Sequence, residues 1–423
     1  MLSRIFSIKS EYKKNILTLM TGTGLAQLIP VAAAPILTRL YSPEDFGLIA
    51  LYLSIVSIIT VFATGRYELA IMLPKFKAEV RALVRLSALL ICITSVLALL
   101  LVLFFNHELS NLLGNNKISA WLYILPVSIF LTGFYQLINY LLIRDKHFKT
   151  LAINKVVVSS TNAGTQLGIG YLFKNSFGLL LGNLIGQVIS ICIIIKTTNI
   201  IEYFKTSKYP LRLVALKYRK FPQYNIPSVL MNVLANQMPL LVLGKFFGLG
   251  ILGLYSFMYK ILMMPINLLS NTVLDVFKQK ASEDFNKLGE CEQIFRKTFK
   301  QLVLLGCIPF TILGMYAPEL FSFVFGEKWQ VAGVYAQIMT PMMFLKFVIS
   351  PLSYTFYIVQ KQKVDVMIQT LLFVLTICSL GLGVFFDSVE LTLICFSGAC
   401  SFVYLLYLIF SFRYSKGIIT SVA

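Results

Sequence analysis

Charged residues are scarce in this sequence: Asp, Glu, Lys and Arg fill 13% of 423 positions, while 57% are hydrophobic and the mean hydropathy is +0.80. A soluble domain is about one quarter charged, so a soluble fold of this size is excluded, because it could not hide so much apolar surface. The apolar residues fall in blocks of about 20, the length that crosses a hydrocarbon core at about 1.5 Å per residue. Continuous blocks exclude a transmembrane barrel, whose strands alternate apolar and polar positions. Histidine is limited to His107 and His147, in separate loops, and the seven cysteines form no Cys-x-x-Cys pair. Six of them (Cys92, Cys192, Cys307, Cys378, Cys395 and Cys400) lie inside apolar blocks and read as small core hydrophobes. No metal site and no cofactor are expected.

Acidic residues are scarcer than basic ones, 18 against 37, for a formal charge of +19. In a soluble protein that balance would suggest a nucleic-acid partner. Here the position of the charge argues against one, because membrane proteins hold Lys and Arg in their cytoplasmic loops. The expected fold class is all-α, a polytopic membrane protein of about twelve transmembrane helices. Spans are predicted near 15–38, 46–64, 86–105, 118–142, 151–173 and 177–195, then near 224–244, 252–273, 299–317, 332–358, 364–385 and 390–412. One set of alternate loops holds 29 of the Lys and Arg residues. The other holds five, Arg39, Lys117, Lys174, Lys245 and Lys328. The basic side is cytoplasmic, which puts both termini inside. Arg4, Lys9, Lys13 and Lys14 precede an apolar run that is too long for a signal peptide, and Pro35 follows its only small-residue site, so the first span is read as uncleaved.

Long outer loops are missing too. The longest, Pro318 to Val331, has about 14 residues, too few for an extracellular catalytic domain. A basic, aromatic stretch at 197–222 divides the spans six and six, giving an N-terminal lobe (1–196), a cytoplasmic linker (197–222) and a C-terminal lobe (223–423). Sliding the sequence by 206 residues lays Phe46-Gly47-Leu48 on Leu252-Gly253-Leu254 and Arg39 on Lys245. Glu108-Leu109 through Gly114 likewise resembles Glu319-Leu320 through Gly326. Both halves begin on the inside, so the repeat is parallel, about an axis along the membrane normal.

Polar residues inside the spans carry the functional signal. In the eighth span Ser256, Lys260, Met264, Asn267, Asn271 and Asp275 recur at steps of 4, 4, 3, 4 and 4, one face of a helix. The seventh repeats the pattern with Asn225, Ser228, Asn232 and Asn236, and the second with Ser54, Ser57, Thr64 and Glu68. For any single Ser or Asn, a hydrogen bond between packed helices is the ordinary explanation. A lysine facing lipid is harder to explain, since it costs about 2.5–3.5 kcal/mol at mid-span. Lys260 and Lys346 therefore face a cavity or a partner, whereas Lys155 lies close enough to a span end to reach the surface. With Arg39 and Lys245 they make a cationic set suited to an anion such as phosphate. Glu68 and Asp275 sit at cytoplasmic span ends, where they either pair with Arg66 and Lys278 or take part in ion coupling.

Two stretches carry a family resemblance. Leu37-Thr38-Arg39-Leu40-Tyr41-Ser42-Pro43-Glu44-Asp45-Phe46-Gly47, followed by Arg66-Tyr67-Glu68-Leu69-Ala70-Ile71-Met72-Leu73-Pro74, resembles the amino-terminal region of bacterial polysaccharide-biosynthesis flippases of the Wzx type. Looser matches continue through Leu142-Ile143-Arg144-Asp145-Lys146 and from Glu319 to Trp329. The resemblance implies the superfamily that also holds multidrug exporters and lipid II flippases, with two six-helix lobes around a central cavity lined by spans 1, 2, 7 and 8. It implies a bacterial inner-membrane protein whose substrate is a polyprenyl-diphosphate-linked oligosaccharide, with membrane lipid, a polysaccharide polymerase and chain-length proteins as further partners. The substrate-binding candidates are Arg39, Lys245, Lys260, Lys346, Asn232, Asn236, Asn267 and Asn271. No catalytic residue and no bond-making step are expected. The alternatives are a drug or cation exporter of the same superfamily, which would use buried acids, and a polytopic enzyme such as a polymerase or acyltransferase.

Overall fold

The computed structural model describes residues 2–173, 175–206 and 209–417, with side chains from Thr18 onward. The side chains of Arg4, Lys9, Lys13 and Lys14, together with Lys174 and Lys208, lie outside the described residues. Twelve helices of 20 to 40 residues follow one another: α1 (Leu2–Leu40), α2 (Pro43–Ala63), α3 (Lys77–Leu112), α4 (Leu125–Arg144), α5 (Phe148–Phe173), α6 (Phe177–Thr197), α7 (Lys220–Phe246), α8 (Leu249–Leu288), α9 (Glu292–Phe325), α10 (Gln330–Leu352), α11 (Gln362–Phe385) and α12 (Val389–Ser415). Short 3-10 turns and one-turn helices fill several of the joints, and no strand occurs among the described residues.

Eleven of the twelve are long and apolar enough to cross a membrane, and α5 is the exception. The protein is thus an all-helical, multi-pass membrane protein with eleven spans by composition and a twelfth, more polar helix. The polarity of α5 is used within the protein. Asn162 donates to Asn183 Oδ1 at 3.2 Å, Ser190 donates to Asn154 Oδ1 at 2.6 Å, and Gln166 donates to the Leu179 carbonyl at 3.3 Å. Gly182 and Gly186 of α6 let the two helices close up against Asn162 and the Val158 carbonyl, the small-residue packing typical of helices in lipid.

The chain forms two compact units, one through Gly253 and one from Leu254. In the first, Gly22 of α1 rests on Ala152 of α5, and Gly133 of α4 on Ala63 and Ile91. In the second, Gly306 of α9 lies under Phe347 of α10, Gly333 of α10 under the Ala317 carbonyl, and Gly383 of α11 on Thr392 of α12.

The residues that carry the family resemblance are largely architectural. Ser42 caps α2 with a reciprocal box: its hydroxyl accepts from the Asp45 amide at 3.3 Å, and Asp45 Oδ2 accepts from the Ser42 amide at 2.9 Å. Pro43 occupies the first helical turn, where its missing N–H costs nothing. The Tyr41 hydroxyl donates to the Gln166 carbonyl at 2.7 Å, and its ring fills the space that a Cβ at Gly170 would need. Arg144 joins two of the motifs, donating to the carbonyls of Ile71 and Pro74, the latter at 2.6 Å.

The internal repeat appears in the packing. A Cβ at Gly47 would overlap the Leu249 carbonyl, and one at Gly253 would overlap the Pro43 carbonyl. Both pairs are related by the 206-residue shift, so the starts of α2 and α8 cross reciprocally. The kinks obey the second match: α3 and α9 each hold one non-helical residue, Phe105 (φ −123°) and Tyr316 (φ −127°), three positions before Glu108 and Glu319. Pro318 accompanies the second kink only, so proline is not what the two share.

Candidate functional site

The long helix α8 is divided lengthwise. Met258, Leu262, Ile266, Ser270, Phe277 and Ala281 are buried along one side. Lys260, Asn267, Asn271 and Asp275 are exposed on the opposite side, with Ser256 and Met264 half-buried between them. The predicted stripe exists, and it faces away from the unit that α8 packs into. Pro265 lies within it and removes one backbone donor from the helical ladder.

Lys346, the mid-span lysine of α10, is half-buried. Its ammonium donates to the Tyr259 hydroxyl at 3.3 Å and lies 5.8 Å from the centre of that ring. Tyr255 stacks on Tyr259 with centroids 5.9 Å apart. No carboxylate lies within ion-pair distance of Lys346 or of Lys260 among the described residues. Both cations are thus held without a counter-ion, a state that suits an anion supplied from outside.

On α7, Asn232 and Asn236 are exposed and coupled: Asn236 Nδ2 donates to the Asn232 carbonyl at 2.8 Å and to its Oδ1 at 3.2 Å. Asn225 is half-buried and Ser228 exposed. Arg39 and Lys245, in the last turns of α1 and α7, are exposed at helix ends that favour cations, and the Lys245 ammonium lies 5.5 Å from the Phe246 ring centre. Arg39 and Lys245 belong to the first unit, Lys260 and Lys346 to the second.

The stripe of α2 is different in kind. Ser54 donates to the Leu51 carbonyl at 2.7 Å, Ser57 to the Ser54 carbonyl at 2.8 Å, and Thr60 to the Val56 carbonyl at 2.6 Å. These hydroxyls are satisfied inside their own helix, which leaves Thr64, whose hydroxyl accepts from the Arg66 amide at 3.3 Å and bonds Glu68, and Glu68 itself at the end of the row. Glu68 follows α2 in a short 3-10 turn and is completely buried. Arg66 lies 3.5 Å away, Gln136 donates to Oε1 at 3.3 Å, and Oε2 has no partner. Burial pushes the Glu68 carboxyl above its ordinary range, against the hydrogen bond from Thr64 and the attraction of Arg66. Arg66 itself sits at φ 60°, a left-handed conformation, next to Gly65 at 58°. The expected pairing with Arg66 is present. The pairing of Asp275 with Lys278 is not found among the described residues: Asp275 is exposed, and the Lys278 ammonium lies over the Tyr354 ring at 4.9 Å, a contact of the same order as an exposed ion pair. Lys155 is half-buried and donates to the Thr23 hydroxyl at 3.0 Å.

Two buried acids were not among the sequence candidates, Glu79, which pairs with Lys217, and Asp365, which has no cation beside it among the described residues. Asp365, in the first turn of α11, accepts from Tyr407 at 2.8 Å, Gln369 at 3.0 Å and Tyr357 at 3.3 Å, with no cation in the set. Its Asp-x-x-x-Gln spacing was a readable signal. Its link to Tyr407, 42 residues on, was not.

A family model described as "Polysaccharide biosynthesis protein" matches residues 36–334, more than half of the chain. The succinoglycan biosynthesis transport protein ExoT of Rhizobium meliloti is 23% identical over 318 residues, covering 74% of this chain and 61% of that protein. The teichuronic acid biosynthesis protein TuaB of Bacillus subtilis is 24% identical over 238 residues, covering 54% of this chain and 47% of that protein. The match therefore spans less than two thirds of either relative. Among solved structures, lipid II flippase MurJ in an inward closed conformation aligns with a TM-score of 0.75 at 14% identity, over 94% of this chain and 87% of that one. An inward-facing multidrug resistance MATE family transporter of the MOP superfamily aligns with a TM-score of 0.70 at 12% identity, over 96% of both chains. At these identities the likeness establishes the fold.

Proposed function

From the premise that this chain belongs to the polysaccharide biosynthesis protein family, we propose that it is a flippase. In this reading it carries a polyprenyl-diphosphate-linked oligosaccharide repeat unit from the cytoplasmic to the outer leaflet of the bacterial plasma membrane, for a surface polysaccharide of the O-antigen or capsule type. The names of ExoT, TuaB and MurJ, which place them in polysaccharide transport, polysaccharide biosynthesis and lipid flipping, support the reading. The single observation that carries it is the exposed stripe of α8, where Lys260, Asn267 and Asn271 interrupt a helix apolar enough to span a membrane.

A diphosphate and its sugars cannot enter hydrocarbon unaided, so a path through the protein must replace their hydration. Lys260 and Lys346 hold the diphosphate, and Arg39 and Lys245 act nearer the outer end. The amides of Asn232, Asn236, Asn267 and Asn271 offer donors and acceptors to sugar hydroxyls. Lobes 1–196 and 223–423, joined by 197–222, open alternately to the two sides, with both termini cytoplasmic. Glu68 and Asp275 are the acids available for coupling to an ion. No bond is made or broken.

Deletion of the gene in its own host tests the reading. The expected result is accumulation of a lipid-linked repeat unit on the cytoplasmic side, identified chemically, with loss of the surface glycan. An unchanged glycan together with loss of energy-dependent drug efflux would instead favour an exporter.

A further inference from the structure

The 197–222 stretch behaves as more than a tether. Its inner side is fixed to the first unit. Val214 is 1% exposed, and the Tyr67 hydroxyl donates to the Ala215 carbonyl at 3.2 Å. Lys217 and Tyr218 both bond Glu79 Oε1, Tyr218 at 3.0 Å. Arg81 pairs with Glu202 at 2.7 Å, and the Tyr203 hydroxyl donates to Asp145 at 2.7 Å. Burial and the Asp145 carboxylate push the Tyr203 phenol up to about 12, so it remains a donor at any physiological pH.

The outer side has the wrong composition for water. Leu213 and Leu216 of the short helix Leu211–Lys217 are 59% and 54% exposed. In the turn before α3, Phe76 is 67% exposed and Leu73 59%. That turn belongs to the same surface, because Tyr67 before it and Glu79 after it both bond the segment that holds this helix. Next to these apolar groups in the sequence stand Lys75, Lys77, Arg212, Arg219 and Lys220, all exposed and without an ion-pair partner among the described residues. Of the described acids that bond this stretch, Glu79 and Glu202 are already neutralised by Lys217 and Arg81, and Asp145 is taken up by the Tyr203 hydroxyl. A water-facing surface mixes both signs of charge and keeps leucine inside. Leucine and phenylalanine interleaved with cations alone matches the boundary between acyl chains and anionic headgroups.

We propose that the 72–77 turn and the Leu211–Lys217 helix form a docking surface for anionic phospholipid. Leu213, Leu216 and Phe76 enter the acyl boundary, and Arg212, Arg219, Lys220, Lys75 and Lys77 meet the phosphates. The site rests on insertion in a membrane and not on the identity of the cargo, so it stands or falls separately from the flippase reading.

The test places a reporter on this face. The full-length Leu213→Trp protein is reconstituted in phosphatidylcholine vesicles that contain an equal fraction of brominated phosphatidylcholine or brominated phosphatidylglycerol. The unsubstituted protein supplies the background from Trp121 and Trp329. Both lipids should quench the new tryptophan, phosphatidylglycerol at least about twice as strongly because the local cations enrich it. Adding Arg212→Gln, Arg219→Gln and Lys220→Gln should remove the preference and leave the phosphatidylcholine quenching. Raised salt should do the same with no charge substitution, which covers the case where that variant fails to fold. Equal quenching by the two lipids at low salt overturns the anionic preference. No quenching by either overturns the proposal and marks the face as a surface for a water-soluble partner.

Discussion

Helices α2 and α8 occupy equivalent places in the repeat and have met opposite demands. Shifted by 206 residues, the buried positions Phe46, Gly47, Ile49, Leu51, Tyr52, Val56 and Thr60 of α2 fall on Leu252, Gly253, Tyr255, Phe257, Met258, Leu262 and Ile266 of α8, all buried as well. The correspondence fails where α8 turns polar. Ser54, 1% exposed and bonded within its own helix, corresponds to exposed Lys260, and buried Val61 corresponds to exposed Asn267. The two helices share a packing face, and α8 alone carries exposed Lys260 and Asn267 where α2 is buried. Polarity alone therefore says little in a membrane helix: a stripe of hydroxyls can satisfy itself, whereas a stripe of amides and an unpaired ammonium requires a partner from elsewhere.

The largest effect is expected where the two copies are alike. Gly47→Val drives a side chain onto the Leu249 carbonyl, and Gly253→Val does the same at Pro43. Overpacking of this kind costs about 1–3 kcal/mol or more, so both variants should lose folded yield and thermal stability in detergent. Normal melting of both would mean that the crossing is looser than described. Next come the two unpaired lysines, Lys346 of α10 and Lys260 of α8. Lys346→Ala should lower the initial flipping rate about tenfold or more, in line with about 1.5–3 kcal/mol for a hydrogen bond to a charged group, with little change in melting. Unchanged flipping by both Lys346→Ala and Lys260→Ala at normal expression would remove them from the binding path.

Converting α8 toward α2 gives a smaller loss. Asn267→Val should slow transport severalfold, at about 1 kcal/mol for a neutral hydrogen bond. Because Asn267 is exposed, its melting temperature should hold, and a fall in stability with unchanged transport would make Asn267 a packing residue. The smallest effect belongs to Ser54→Ala, which removes a hydroxyl bonded to its own helix. Transport should be unaltered, with a stability change of about 0.6 kcal/mol or less. A tenfold transport defect there would erase the distinction between the two stripes.

Hydrophobic length made the spans readable in sequence, because the bilayer sets a minimum apolar run. It did not fix the helix ends. The eighth span, predicted to stop near 273, continues to Leu288, because Asp275, Lys278, Glu283 and Lys287 suit a helix that has left the hydrocarbon. The fifth, placed at 151–173, is helical but too polar to register as a span, since its amides are spent on α6 rather than on lipid. The face of α8 was legible from its 3.6-residue period. The contrast with α2 was not, because burial depends on neighbours distant in the chain. Distance in sequence also hid the anchoring of Lys217 to Glu79, 138 residues away, and the environment of Asp365.

The central claim is most directly tested with the purified protein in proteoliposomes loaded with the host's own lipid-linked repeat unit. A membrane-impermeant reagent that modifies the sugar follows how fast the inward-facing pool becomes accessible. Rapid exposure of that pool by the native protein, slowed at least tenfold by Lys260→Ala combined with Lys346→Ala, is the predicted result. A pool that stays protected with the native protein, or one released equally fast by the double variant, would contradict the account.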